Sequence, residues 1–224
     1  WIPPAILYIS ENRNSPANIL SFLYKLERLA SCMMIFRGNI NYRIKRLSDL
    51  LKWIQVGKNP LSQESPIHLT DEEIEKTISS LNGNVYESTR TRLMILLRLD
   101  SILSCGTAKY NHQTITVEHV LPQHPKFDSQ WVEWIPDEEK RKQLVHKLGN
   151  LALLSRAKNS SASNYELQKK INSYFVVKGV SPFPITTQVL SHKTWTEEII
   201  NLRQKEYMEK LCIEWDLQKP QVAN

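Results

Sequence analysis

The sequence predicts a mainly α-helical protein that carries one small embedded ββα module. Apolar residues recur at three- and four-residue steps through much of residues 1–113, which is typical of helices with one buried face. Two short runs of strand-forming residues, 114–117 and 151–154, interrupt the helical pattern. The chain has 6 glycines and 11 prolines in 224 residues, which argues against a turn-rich all-β protein. We expect a helical platform over 1–113, the ββα module over 114–165, and C-terminal helices over 166–224 that pack on the platform.

The bulk composition fits a globular protein with a polyanionic partner. Hydrophobic residues make up 41% of the chain and the formal net charge is +6, so a sizeable core and a nucleic-acid partner are both compatible with it. The cysteines, Cys32, Cys105 and Cys212, form no C-x-x-C pair, so neither a disulfide framework nor a cysteine zinc site is indicated. We therefore expect a cytoplasmic protein. No apolar run approaches the roughly 18 residues that a membrane span needs. Because the sequence begins at Trp1, we expect it to be part of a longer protein.

Four helices account for most of the predicted platform. Cap-like residues and apolar periodicity predict helices within residues 15–38 and over 40–56. Thr70 and Glu73 form a capping box at the start of a third helix. The fourth, over residues 88–104, is apolar nearly all round and is expected to be the central buried helix.

One face of the helix over residues 40–56 is strongly basic. Arg43 and Arg46 lie on it with two lysines, against the single acidic residue Asp49. Such a face is either an ordinary solvated surface or a set of phosphate contacts, which gain affinity by releasing counterions from DNA.

A carboxylate and a histidine stand next to each other after the first strand. Residues 114–117 are short and β-branched, and they lead directly to Glu118 and His119. This pairing can bring a metal ion and a general base together, although a Glu-His pair alone is more often a surface ion pair. Neighbouring strand residues point to opposite faces. The two side chains are therefore expected to share a site only if the strand frays or bulges, which the nearby Pro122 favours.

Two asparagines flank the second strand. An insertion over residues 123–147, with a helix that begins near Pro136, separates the two strands. Asn150 lies in the turn before strand 151–154, and a short helix after the strand is predicted to carry Asn159. Either asparagine alone fits an ordinary turn or cap residue. Together with the Glu-His pair they suggest one site assembled from strand, turn and helix.

This pattern resembles the HNH, or ββα-metal, nuclease superfamily, in which an acid-histidine pair ends the first strand and further side chains come from the loop and the helix. The matching residues are Glu118, His119, Asn150 and Asn159. The runs VEHVLPQ and HKLGNLALLSRAKNSSASN are similar to the C-terminal nuclease domain of GmrSD-type modification-dependent restriction enzymes. The phosphorothioate-sensing defence protein SspE has a domain of the same type. The resemblance covers about residues 114–165. Many superfamily members also carry a structural cysteine zinc site, which this sequence lacks.

The resemblance implies a role for each matching residue. His119 would be the general base, since a neutral imidazole near pH 7 can take a proton from water. Asn150 would orient the His119 ring through its side-chain or backbone carbonyl. Glu118 and Asn159 would supply hard oxygen ligands to one divalent cation, Mg²⁺ or Mn²⁺.

The resemblance also implies double-stranded DNA as the substrate, to be nicked or cut. The basic residues expected to hold its backbone are Lys147, Arg156, Lys158, Arg43 and Arg46. An upstream domain that reads a DNA modification, a bacterial cytoplasmic setting and restriction of phage DNA are implied as well. Two other hypotheses stay open at this point: a catalytically inactive DNA-binding module and a helical interaction scaffold.

The chain after the module is predicted to be helical again. A helix is expected over residues 165–176, with Lys169 and Lys170 exposed, followed by a brief strand or turn over 185–190. A long amphipathic helix over 195–215 completes the chain. Its expected inward residues are Ile199, Leu202, Tyr207, Leu211 and Trp215.

Overall fold

The computed structural model describes residues 1–155, 164–176 and 181–218, and it confirms a mainly α fold with an embedded ββα module. Its strands are β1 Thr116–His119 and β2 Leu151–Leu154, which form one antiparallel two-stranded sheet. The helices are α1 Ile2–Glu11, α2 Pro16–Ile35, α3 Ile40–Gln55, α4 Asp71–Leu81, α5 Arg92–Leu103, α6 Gln130–Trp134, α7 Glu138–Val145, α8 Leu167–Lys170, α9 Pro184–Leu190 and α10 Glu197–Glu214. No helix among the described residues has both the length and the apolar character needed to cross a bilayer.

The chain divides into two compact units. One comprises Trp1–Ser80 and the end of the chain from Leu217, and the other comprises Leu81–Asp216. Helix α5, which the sequence placed in the platform, therefore belongs to the same unit as both strands. Within that unit α10 packs on α5 and on the 3-10 turn Leu148–Asn150, so the C-terminal helix lies against the turn that carries Asn150.

Local capping signals explain where the helices of the first unit begin. Helix α2 begins at Pro16, as predicted, and α3 begins after Asn39, whose Oδ1 accepts a hydrogen bond from Tyr42 N at 2.9 Å. At the start of α4, Glu73 N donates to Thr70 Oγ1 at 3.2 Å, and Thr70 N donates to Glu73 Oε2 at 2.6 Å. The predicted capping box is therefore confirmed.

The end of β1 is fixed in the hydrophobic core of the second unit. Val120 and Leu121, which follow β1 directly, are fully buried together with Ala152 of β2. Trp131 and Trp195 belong to the same cluster and are also fully buried. Burial of a large apolar side chain contributes roughly 1.5–3 kcal/mol. The segment that carries His119 is therefore held by packing on the residues immediately after it.

Helix α9 is a correction to the predicted strand or turn. Its β-branched residues favour a strand locally, but hydrogen bonds from distant segments stabilise a helix. Asp100 Oδ1 accepts a bond from Ile185 N at 2.9 Å at the start of α9. Thr186 Oγ1 accepts from Leu153 N at 2.9 Å and donates to Leu153 O at 2.7 Å. The Thr186 hydroxyl thus lies against β2 and satisfies the backbone N–H and carbonyl groups of Leu153.

Helix α10 confirms the predicted long helix, and Tyr207, Leu211 and Trp215 are buried as expected, but polar residues share the buried face. Leu202, expected inside, is 67% exposed, whereas Arg203 and Gln204 are buried. Arg203 Nε donates to Gly149 O at 2.9 Å, and Gly149 N donates to Gln204 Oε1 at 2.9 Å. Two polar side chains of α10 therefore satisfy the backbone of a buried turn, which hydrophobic periodicity cannot reveal.

Replacing Gly149 with alanine should destabilise the protein by about 3 kcal/mol, because the added methyl group overpacks this contact. A Cβ atom on Gly149 would lie 2.2 Å from Ile200 O and 2.8 Å from Gln204 N, both backbone atoms of α10. The measurement is urea-induced unfolding of Gly149→Ala. The matched control is Gly106→Ala, where a Cβ meets nothing within 4 Å and only the positive φ of +76° is unfavourable, at a cost of about 1 kcal/mol. Equal losses in the two variants would contradict a tight turn–helix contact.

Candidate active site

The end of β1 is a regular part of the sheet. Glu118 lies opposite Ala152, and His119 lies opposite Leu151, in uninterrupted antiparallel register. The expectation that the strand frays or bulges here is therefore wrong. Strand alternation sends the two side chains to opposite faces, and their contacts agree, since each touches a different set of elements.

His119 is enclosed by two other rings. The residue is 2% exposed, and its ring centroid lies 3.9 Å from that of Tyr86 in the 3-10 turn Val85–Glu87. His119 Nε2 lies 3.2 Å from Nδ1 of His146, within hydrogen-bonding distance. The backbone joins the two neighbours as well, since Tyr86 N donates to His146 O at 3.2 Å. The imidazole of His119 is thus held by packing and by a polar contact.

His146 is the site residue that the sequence reasoning missed. A histidine at a helix C-terminus often faces solvent, but His146 lies half-buried between His119 and Glu87. Its Nε2 is 3.8 Å from Glu87 Oε1, and its ring stacks on Tyr86 at 15° with centroids 5.6 Å apart. Burial lowers the pKa of His146, against the opposing effect of the Glu87 carboxylate. The neutral imidazole therefore predominates near pH 7.

Glu118 faces a buried lysine on the other side of the strand. Its Oε1 lies 3.5 Å from Nζ of Lys170, and both side chains are almost completely buried. Lys170 Nζ also donates to the carbonyl oxygens of His119 at 2.7 Å and Val120 at 3.1 Å. The expectation that Lys170 is exposed is wrong. A lysine is buried only where tertiary partners compensate its charge, and local sequence does not show those partners.

The hydrogen bonds of Asn150 hold the ends of the two strands together. Its Oδ1 accepts from Leu121 N at 2.8 Å and from Trp195 Nε1 at 3.0 Å. Its Nδ2 donates to Leu121 O at 3.0 Å and to Val145 O at 2.8 Å, and its backbone oxygen accepts from Val120 N at 2.9 Å. These bonds use the hydrogen-bonding capacity of the side chain. Asn150 therefore stabilises the strand end that carries His119, and its predicted orientation of the His119 ring stays a prediction.

The predicted basic and metal-ligating residues near the module are only partly described. Lys147 is half-buried beside the Asn150 turn, and within the described ranges its side chain has no ion-pair partner. Arg156, Lys158 and Asn159 lie outside the described residues. Their predicted roles in DNA and metal binding stay predictions.

The basic face of α3 belongs to the first unit, and one of its two arginines is already engaged there. Arg46 donates to the carbonyl oxygen of His68 and lies 3.2 Å from Glu73 Oε2. Arg46 therefore has an ion-pair partner within the first unit, and its predicted phosphate contact stays a prediction. Arg43 is half-buried on the same helix.

Comparison with known families gives the class of this site. The sequence matches the family described as GmrSD restriction endonucleases, C-terminal domain, over residues 70–210. The chain belongs to this family. The match includes both strands, His119, His146 and Lys170, and it extends well beyond the 114–165 segment that carries the sequence resemblance. No curated protein matches the chain significantly. Membership in the GmrSD C-terminal family indicates a nuclease of the restriction-endonuclease type.

The oxygen ligands of this GmrSD domain fit a cation such as Mg²⁺ that is held by few protein side chains. The described part of the chain contains no group of three or more His, Cys, Asp or Glu side chains placed to hold a metal ion. It does present one buried carboxylate, Glu118, which is next to His119 in sequence and points to the opposite face of β1. Mg²⁺ keeps several water ligands and is often held by one or two protein carboxylates together with substrate phosphates. The Glu118 carboxylate is compatible with that mode of binding.

A cavity of about 670 Å³ opens beside His146. It lies between the segment after β1 and helix α7, and His146 forms part of its wall. Phe127 also lines it and is 93% exposed. Exposed aromatic rings provide surfaces on which nucleobases stack. The cavity therefore lies next to His146, which contacts His119.

Proposed function

We propose that this GmrSD C-terminal domain is an HNH-type, metal-dependent DNA endonuclease that nicks or cuts foreign DNA. The observation that carries the proposal is the placement of His119. Its imidazole is packed on Tyr86 and contacts His146 at the end of β1, inside the region that matches the nuclease family. A fixed imidazole is the group that proteins most often use as a general base.

His119 would act on the attacking water. The neutral imidazole takes one proton from the water as the water oxygen bonds to phosphorus, and the bond from phosphorus to the 3′ oxygen breaks with its electron pair going to that oxygen. Lys170 helps to fix the position of His119, since its Nζ donates a hydrogen bond to the backbone carbonyl of His119. It also lies beside the Glu118 carboxylate and so limits the orientations of that side chain.

Glu118 and the predicted ligand Asn159 would hold one divalent cation, Mg²⁺ or Mn²⁺. Such a cation, when bound, supplies positive charge that stabilises the phosphate oxygens and the departing 3′ oxygen.

DNA binding in this proposal relies mainly on the phosphate backbone. Lys147 lies in the turn next to the site, and Arg156, Lys158 and Arg43 add positive charge to a chain of net charge +6. Backbone contacts position DNA without reading its sequence, so the domain should show weak sequence preference. We infer that a separate domain reads the DNA modification and controls cleavage, as part of defence against phage in the bacterial cytoplasm.

A supercoiled-plasmid assay tests the proposed function. We expect nicked or linear DNA with Mg²⁺ or Mn²⁺ and intact supercoiled DNA with EDTA, because the phosphate charge is then no longer stabilised by a cation. Gel shifts at increasing salt measure binding in parallel. Salt-sensitive binding without cleavage in either metal would identify an inactive DNA-binding module. Neither binding nor cleavage would identify a helical interaction scaffold.

A further inference from the structure

The cavity beside His146 has the size and the lining of a ligand site. Its volume of about 670 Å³ lies within the range of about 300–1,000 Å³ that is usual for small-molecule and cofactor pockets. Such pockets combine apolar walls with a few polar groups. Here Pro122, Pro125 and Pro136 line the cavity with rigid apolar surfaces, and Arg141 adds a cationic group.

A tight turn holds Phe127 out from the surface at this cavity. Ser129 N donates to Lys126 O at 3.1 Å, which closes a β-turn with Phe127 at its second position. Ser129 Oγ donates to the same carbonyl at 2.6 Å, and Ser129 is buried at the start of α6. The ring of Phe127 is therefore 93% exposed on a backbone that is fixed by hydrogen bonds. It offers a flat apolar surface at a defined place.

The segment between β1 and this turn is fixed as well. Leu121 is fully buried, its N donates to Asn150 Oδ1 at 2.8 Å, and its O accepts from Asn150 Nδ2 at 3.0 Å. Pro122, the next residue, lines the cavity. The lining is thus in place before a ligand arrives, which reduces the entropy lost on binding.

The charges of the lining favour an anionic ligand. Among the described residues the cavity has one carboxylate, Glu138, and its Oε1 lies 2.8 Å from Nζ of Lys142, which also lines the cavity. Arg141 then gives the lining an excess of positive charge. Its Nη1 donates to Ile135 O and to Pro136 O, which fixes the guanidinium between α6 and α7. A guanidinium has further N–H groups that can bind a phosphate.

We propose that this cavity receives one unstacked nucleotide of the DNA strand, with its base on Phe127 and its phosphate on Arg141. An exposed aromatic ring and a guanidinium are the groups that recognise these two parts of a nucleotide. His146 lines the cavity and lies 3.2 Å from His119, so the nucleotide is next to the proposed general base. The choice of DNA as its source rests on the proposed function. Stacking accepts any base, in agreement with weak sequence preference.

Fluorescence anisotropy of labelled DNA in EDTA tests the cavity without cleavage. The probes are a short duplex with one unpaired nucleotide, called the bulged duplex, and the same duplex fully paired. An unpaired nucleotide costs less free energy to unstack than a paired one. We expect the full chain to bind the bulged duplex more tightly. Equal affinity for the two duplexes would overturn the proposal.

Two variants of Phe127 test the stacking surface. Phe127→Ala should bind the bulged duplex about 5- to 150-fold more weakly, the usual cost of losing one base–aromatic stack, whereas Phe127→Trp should bind it as the wild type does. The matched control is Ile213→Ala, which removes a 71% exposed apolar side chain from α10, outside the cavity. Both positions lie on the surface, so the variants should fold normally. Unchanged affinity in Phe127→Ala would contradict a base on this ring.

The salt dependence of binding tests the phosphate contact. Arg141→Gln should lower the slope of log affinity against log salt by about one, the contribution of one phosphate. The matched control is Lys140→Gln on the same helix, whose side chain is outside the lining and lies 2.8 Å from Glu197. Circular dichroism checks both variants, and the Phe127 variants decide the proposal if Arg141→Gln is unfolded. The same slope in folded Arg141→Gln as in wild type would remove Arg141 from the proposal.

Competition with thymidine 5′-monophosphate separates a DNA strand from a free nucleotide. We expect the mononucleotide to compete weakly, because it lacks the neighbouring phosphates of the strand. Competition as strong as that of the unlabelled bulged duplex would overturn the assignment to DNA. A protein that binds the bulged duplex through Phe127 but cuts no plasmid would refute the proposed function alone. A protein that cuts plasmid, but whose binding does not depend on Phe127, would refute the cavity proposal alone.

Discussion

His119→Ala should lower the rate of DNA cleavage about 10²- to 10⁴-fold, the usual cost of removing a general base. The loss should appear in the cleavage step and not in DNA binding, because His119 is 2% exposed and lies in a cluster of rings away from the solvated surface. The measurement is single-turnover cleavage of supercoiled plasmid in Mg²⁺, with a gel shift of the same DNA to show that binding is retained.

The matched control for this experiment is His112→Gln. His112 is half-buried, and its ring packs on Phe183, 5.3 Å between centroids, in the same unit but outside the His119 cluster. Its substitution should leave cleavage close to that of the wild type. Circular dichroism of both variants checks that the helices remain folded. Cleavage by folded His119→Ala at the wild-type rate would remove His119 from its proposed role.

Asn150→Ala should destabilise the protein by about 3–4 kcal/mol, because it leaves several buried polar groups without partners. The groups that lose a partner are Leu121 N and O, Val145 O and Trp195 Nε1. Each unsatisfied buried group costs about 1–3 kcal/mol, and partial relaxation of the site keeps the total below the sum. Urea unfolding gives the free energy, and thermal unfolding should show a clearly lower midpoint.

The control for Asn150→Ala is Asn201→Ala, which removes an exposed asparagine from α10. A surface substitution of this kind changes stability by about 0.5 kcal/mol or less. If Asn150→Ala were as stable as Asn201→Ala, the hydrogen bonds of Asn150 would not stabilise the strand ends, and its assignment as a structural residue would fail.

The elements that the sequence predicted well are those whose stability is encoded locally. Helix α3 and the capping box of α4 follow from apolar periodicity and from side chains within a few residues of each helix start. The two strands follow from short apolar runs, and the register places Glu118 and His119 at the end of β1, where the sequence put them.

The errors have a common physical cause, which is polar contact between segments far apart in sequence. Helix α9 forms despite its β-branched residues because Asp100 satisfies its first turn and Leu153 pairs with Thr186. Arg203 is buried in α10 because Gly149 needs a donor for its carbonyl group. Lys170 is buried because carbonyl oxygens at the end of β1 accept its hydrogens. Arginine and lysine are usually exposed, so composition and periodicity predict a solvent-facing position for Arg203 and Lys170.

The sequence predicted only part of the candidate site, because the rest depends on contacts between distant segments. His119 and Glu118 stand out in sequence because a charged and a titratable residue follow a strand directly. His146 does not, since its relation to His119 depends on how α7 ends against Tyr86, a residue from another part of the chain. The family match begins at residue 70, so Tyr86 lies inside the matched region.

The hydrogen bonds between α10 and Gly149 limit how this nuclease domain could be transferred into another protein. The turn that carries Asn150 has its amide and carbonyl satisfied by Gln204 and Arg203, more than fifty residues downstream. A transplanted fragment that ends soon after β2 would carry the recognisable motif but expose these buried groups. The smallest portable version of the site is therefore the whole folding unit Leu81–Asp216.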